Sequence, residues 1–367
     1  MLTRRAVLGG IGAVGCAAPA LADVSLPELE YEGPSLRKLA AARGFVFGCA
    51  TGNYELREED FKFAFLRDCA MMVPEYELKR DLIEPAQGQF DFSAPDALLD
   101  FSREHGLLFR GHPLVWYASN PPWLEQAVAE ASDEAILTGY VTKVATHFRG
   151  RMHSWDVVNE AIEPKDGRAD GLRNSFWLKK FGPDYIDLAF HAAREADPAA
   201  LLVYNDYGIE EDGPERDERR RQTLKLLEGM IARGVPVGAF GVQAHLQAFG
   251  HTTDAKKLEA FLAEVRATGL RILVTEHDVD DSGGPIDFLS RDRAVADASR
   301  RFLDVVLDNP STMAVLTWGL SDRYLRAEGM RNTLLRGNPR KLPLDSDMRP
   351  TAMRDAMARA FAGARKR

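Results

Sequence analysis

The chain has 367 residues, 45% of them hydrophobic and 28% charged, with a formal net charge of -8. That is enough chain for a large single core, and its acidity disfavours nucleic acid or any other polyanion as a partner. No segment after the first 22 residues approaches the roughly 18 uncharged apolar residues of a membrane-spanning helix.

The first 22 residues run from Thr3-Arg4-Arg5 through an apolar Gly/Ala-rich stretch to Ala20-Leu21-Ala22, the order of an export signal with cleavage before Asp23. The paired arginines ahead of a weakly hydrophobic stretch match a twin-arginine signal, which carries folded protein across a membrane. An ordinary secretory leader and a lipoprotein built on Cys16 are the alternatives. The exported product, residues 23–367, is periplasmic or secreted. It retains only Cys49 and Cys69, expected as free, buried thiols held far apart on the first two strands.

Residues 23–44 form a polar lead-in ending in a helix over Leu36–Ala42. Eight apolar runs of strand length follow, separated by helical patterns: Phe45–Ala50, Ala70–Tyr76, Leu107–His112, Ser154–Glu160, Leu201–Tyr207, Gly241–His245, Arg271–Asp278 and Met313–Leu320. Pro183–Ala196 shows the helical pattern, with Ile186, Ala189, Phe190 and Ala193 on one face. The alternation predicts an α/β fold, a single-domain (β/α)8 TIM barrel; an open doubly wound sheet is the rival. The charge-rich stretch Glu210–Arg221 reads as a loop and solvated helix start.

Each run begins apolar and ends in polar or aromatic residues: Glu75, His112, Asn159 and Glu160, Asn205 to Tyr207, Gln243 and His245, Glu276 and Asp278, and Trp318. In a closed barrel these carboxyl ends surround one pocket. Glu160 and Glu276, each closing an apolar strand, are the candidate pair for cleaving a glycosidic bond with retention, which needs two carboxyl groups about 5–5.5 Å apart. Asn159 can donate to a sugar hydroxyl, and His245 with Asp278 can orient Glu276. Trp116, Trp123 and Trp318 offer indole faces to pyranose rings. No cofactor or metal is required. A metal-dependent hydrolase using His112, His245, Glu276, His277 and Asp278 is one rival reading; a non-catalytic carbohydrate-binding barrel is another.

The segments Glu75-Tyr76-Glu77-Leu78-Lys79, Gly111 to Trp116, Trp155 to Ala161, Asn205-Asp206-Tyr207, Gln243-Ala244-His245-Leu246, Thr275 to Asp278 and Thr317-Trp318-Gly319 together resemble glycoside hydrolase family 10, the β-1,4-xylanases. The likeness spans about Phe45 to Ala356. It implies a retaining, endo-acting enzyme on xylan or a related polysaccharide, with Glu160 as acid/base and Glu276 as nucleophile. It also implies that Glu75 and Lys79 bind sugar hydroxyls on the non-reducing side, while His112, Asn159 and Gln243 surround the reacting sugar, and Trp116, Tyr207 and Trp318 complete the substrate site. The expected partner is an oligosaccharide or polysaccharide, and the expected state a monomer. The chain departs from the family pattern at Tyr76, Tyr117, Ser119, Gly208, His277 and Arg326. An arginine at 326 suits an acidic or decorated sugar.

Overall fold

The computed structural model describes residues 33–325 and 339–367, all within one compact unit, Gly33–Arg367. The signal over residues 1–22 and Arg326 lie outside the described residues.

Among the described residues nine parallel strands form the sheet: β1 (Val46–Thr51), β2 (Met71–Pro74), β3 (Leu108–Gly111), β4 (Ser154–Asn159), β5 (Leu201–Asp206), β6 (Ala239–Val242), β7 (His245–Gln247), β8 (Arg271–Asp280) and β9 (Thr312–Thr317). Neighbours run from β6 through β5, β4, β3, β2, β1 and β9 to β8, and pairing of β6 with β8 closes the ring. The barrel therefore has eight staves. The sixth is broken: Ala244, at φ 64°, interrupts the predicted run Gly241–His245, and β7 resumes pairing with β8 beyond it.

Apolar side chains from alternate positions fill the barrel, including Ala50, Met71, Val73, Val203, Leu273 and Leu316. Helices cover the outside. In the helix Tyr185–Ala196, Ile186, Ala189, Phe190 and Ala193 are buried, the face expected from a 3.6-residue period. The predicted helix over Leu36–Ala42 is present.

Two expectations are corrected here. Cys49 and Cys69 are buried and free, but their sulfurs lie 3.7 Å apart rather than far from one another. Cys49 pairs in register with Met72, three residues beyond Cys69, so the two side chains meet beside β1. The Glu210–Arg221 stretch is not simply solvated. Glu210, Glu211, Arg219 and Arg220 are buried: Glu210 accepts from Ala244 N and Glu211 from Gln247 N, so these carboxylates brace the broken sixth stave.

Candidate active site

The two glutamates hang from strands that slip in register just before them. On β4 the pairing with β5 steps between Asp156 and Val158, and on β8 the pairing with β9 steps between Val274 and His277. Bulges of this kind re-aim side chains near barrel rims. After the β4 step, Glu160 takes a left-handed backbone at φ 59°, fixed by Glu160 N donating to Asn205 O and by Arg173 Nε donating to Glu160 O at 2.8 Å. Adjacent strand residues normally face opposite ways. Here Asn159 and Glu160 share one side, because Asn159 Nδ2 donates to Glu160 Oε1 at 3.1 Å.

Gln243 Nε2 donates to the same Oε1 at 3.0 Å, and Trp116 Nε1 donates to Oε2 at 3.0 Å. Asn205 Nδ2 donates to Asn159 Oδ1 at 2.9 Å and to Glu276 Oε1 at 2.7 Å. Two carboxamides therefore join the carboxyl groups of Glu160 and Glu276. Thr275 Oγ1 donates to Asn205 Oδ1 and fixes which end of that amide faces Glu276.

Glu276 Oε2 lies 3.3 Å from His245 Nε2, and His245 Nδ1 lies 2.9 Å from Asp278 Oδ1. Burial alone would raise the Glu276 pKa. The rings of His112 and His245 and the Asn205 donor outweigh it and bring the group down to about 2. Burial pulls the His245 pKa down, but Asp278 and Glu276 override this and raise it well above the usual value. The result is a carboxylate charged at any ordinary pH. His112 is held from below, its Nδ1 2.8 Å from Asp156 Oδ2, and Asp156 is itself gripped by both terminal nitrogens of the buried Arg110.

An open cleft of about 340 Å³ is lined by both glutamates together with Lys79, Trp116, Tyr207, Gln243 and Trp318. His112 and His245 line it too. Lys79 Nζ lies 4.5 Å from the Tyr76 ring centre, 5.4 Å from Trp116 and 5.9 Å from Trp318. Its ammonium faces both Glu75 and Glu276, which partly offset the lowering of its pKa by burial. Tyr207 is steadied by Arg173 Nη2 donating to its hydroxyl at 3.0 Å, and that hydroxyl lies 3.2 Å from Glu163 Oε2.

Some expected residues are elsewhere. Trp123 does not line the cleft; its Nε1 donates to Glu84 O, and its ring packs near Arg80. His277 points away from the cleft, fully buried between Ala244 O at 3.1 Å and Ser299 Oγ at 2.9 Å. It is neither a subsite residue nor available to the rival metal set. Sequence reasoning set Asn205 at the pocket without giving it a part in joining the two carboxyl groups, and missed Thr275, Arg110 and Asp156 as parts of the site. A charged residue inside each of two apolar strand runs was the available clue to Arg110 and Asp156.

A carboxylate stripped of its proton by its surroundings, bridged through amides to a second carboxyl group beneath two indoles, suits the cleavage of glycosidic bonds. The fold and the cleft together define a barrel glycoside hydrolase. The model of glycosyl hydrolase family 10 matches residues 35–360. Endo-1,4-β-xylanase B of Thermotoga neapolitana is 32% identical over 322 residues, 86% of this chain and 88% of that protein. Endo-1,4-β-xylanase A of Caldicellulosiruptor sp. (strain Rt8B.4) is 33% identical over 276 residues, 69% of this chain but only 38% of that longer protein. The crystal structure of xylanase 10B from Thermotoga petrophila RKU-1 in complex with xylobiose superposes with a TM-score of 0.79 at 28% identity, covering 90% of this chain and 98% of that one. The chain belongs to glycosyl hydrolase family 10, and with it to the retaining glycosidases of the endo-1,4-β-xylanase type. Among the described residues no helix is long and apolar enough to cross a membrane.

Proposed function

We propose that this chain cleaves β-1,4-linked xylan or a related polysaccharide within the chain, using Glu276 as nucleophile and Glu160 as acid/base. The observation carrying this assignment is the setting of Glu276, held charged near a pKa of 2 by His112, His245 and Asn205. In the first step a Glu276 oxygen attacks the anomeric carbon, the bond to the leaving oxygen breaks, and Glu160 supplies that oxygen with a proton. In the second step water attacks the same carbon, Glu160 takes its proton, and the ester to Glu276 breaks, giving net retention.

Asn159, His245 and Asp278 support the pair in this reading. Glu75 and Lys79 hold hydroxyls on the non-reducing side, His112 and Gln243 border the reacting sugar, and Trp116, Tyr207 and Trp318 offer ring faces and polar edges. The enzyme works as a monomer without a cofactor. Residues 1–22 direct export, by the twin-arginine route, of a catalytic domain comprising residues 23–367.

The roles are separable by experiment. Glu276→Ala lowers kcat on every glycoside by roughly four orders of magnitude or more. Glu160→Ala spares formation of the glycosyl-enzyme from aryl glycosides whose leaving group needs no proton, and slows its hydrolysis. Equal damage to that first step by both substitutions, or products released with inverted configuration, refutes the assignment.

A further inference from the structure

Tyr54, just beyond β1, is 45% exposed, yet its ring is fixed on three sides. One face lies on the α-carbon of Gly52, where an added Cβ would come within 2.8 Å of Tyr54 Cε1. Its edge meets Tyr324 in a T-shaped contact, with centroids 5.8 Å apart at 79°. Its hydroxyl donates to Glu75 Oε2 at 3.3 Å. Tyr324 is anchored in turn, edge-on to Phe61 at 5.1 Å and donating to Glu58 Oε2 at 2.9 Å.

Fixing an exposed side chain costs rotamer entropy, which core packing does not repay for a ring left nearly half in solvent. Rigid aromatic faces beside hydroxyl-binding carboxylates are what pyranose rings stack on. The order of groups outward from the reacting centre gives the ring its place. Lys79 faces both Glu276 and Glu75, Glu75 takes the Tyr54 hydroxyl, and Tyr54 is therefore one step further out than Glu75.

We infer that Tyr54 is the platform of an additional sugar-binding subsite on the non-reducing side, taking the third pyranose from the cleaved bond by stacking on its solvent face. This rests on the proposal that Glu75 and Lys79 hold the second. The site lengthens the glycone that the enzyme grips and favours long chains over short ones.

The test uses aryl β-glycosides with one leaving group and glycones of two and three xylose units. In the parent, kcat/KM is roughly three- to tenfold higher for the trioside, the range expected of one ring contact. Tyr54→Ala brings that ratio to one, whereas Tyr54→Phe, which loses only the hydroxyl bond to Glu75, keeps the ratio of the parent. A parent ratio of one, or a Tyr54→Ala variant that loses both substrates equally, overturns the inference. The parent ratio needs no variant and so holds even if Tyr54→Ala folds poorly. Activity of the parent on the bioside separately tests the proposed function, and inactivity on both glycosides removes that function and this subsite with it.

Discussion

Asn205 Nδ2 donates to Glu276 Oε1 at 2.7 Å while also reaching Asn159 Oδ1, so a single amide sets the spacing of the two carboxyl-bearing segments. Its donation is among the influences that hold Glu276 down to about 2. Removing it in Asn205→Ala withdraws one of the influences that oppose burial while His112 and His245 stay in place, so the Glu276 pKa rises in part. In the proposed reaction Glu276 attacks as the carboxylate, hence the acid limb of the kcat/KM profile moves to higher pH; separately, loss of the amide that positions the carboxyl group lowers the rate at neutral pH by roughly ten- to a hundredfold. A variant with reduced rate but an unmoved acid limb contradicts this account.

His245 acts on the other oxygen, at 3.3 Å, and is oriented by Asp278. His245→Ala withdraws a positive neighbour and again moves the acid limb upward. Asp278→Asn is milder, because it weakens only the orientation of the ring. Both substitutions together cost less than the sum of the two, since they break one chain of contacts. A double-mutant cycle on kcat measures this, and strict additivity argues against the chain.

Burial holds His277 at a pKa of about 4, below the 6.5 of a solvated imidazole, through loss of solvation. It is therefore neutral in the fold where an unfolded chain binds a proton. Its contribution to stability is intact above pH 6.5 and is lost as pH falls towards 4, by at most about 3 kcal/mol. His277→Gln flattens the decline of Tm between pH 6.5 and 4.5. It also leaves the catalytic pH profile unaltered, because the ring bonds Ala244 O and Ser299 Oγ away from the cleft. An unchanged slope of Tm against pH counts against a neutral buried ring.

Arg110 and Asp156 form a fully buried pair beneath His112. Removing one partner strands the other, so Arg110→Met costs about 3–5 kcal/mol of stability. Replacing both, as Arg110→Met with Asp156→Leu, recovers much of that loss but leaves His112 without its anchor. Urea midpoints read the first effect and kcat the second. If the double variant regains full activity, the anchoring role of Asp156 is wrong.

The barrel and its ring of strand ends were legible because an apolar run that turns polar at its last residue is a local pattern. Glu160, Glu276 and their supports Asn159, His245 and Asp278 follow from it. His277 was expected among the departures near the substrate, although alternation along β8, with Glu276 and Asp278 facing inward, turns the residue between them outward. Trp123 and the cysteine pair depart from expectation for another reason. Loop paths and the lateral position of side chains between neighbouring strands leave no periodic trace. Charge in Glu210–Arg221 suggested solvent exposure, whereas backbone N–H groups of the broken sixth stave required buried acceptors there.

The left-handed turn at Glu160 has a consequence for engineering by transplantation. A donor β4 segment moved onto another barrel with its sequence intact, but without the Asn205 carbonyl and the Arg173 guanidinium that clamp its last peptide, relaxes to ordinary strand geometry. It then presents either the carboxyl or the neighbouring amide to the substrate, not both. The portable unit is thus three segments of chain, from β4, β5 and the loop bearing Arg173, rather than one short motif.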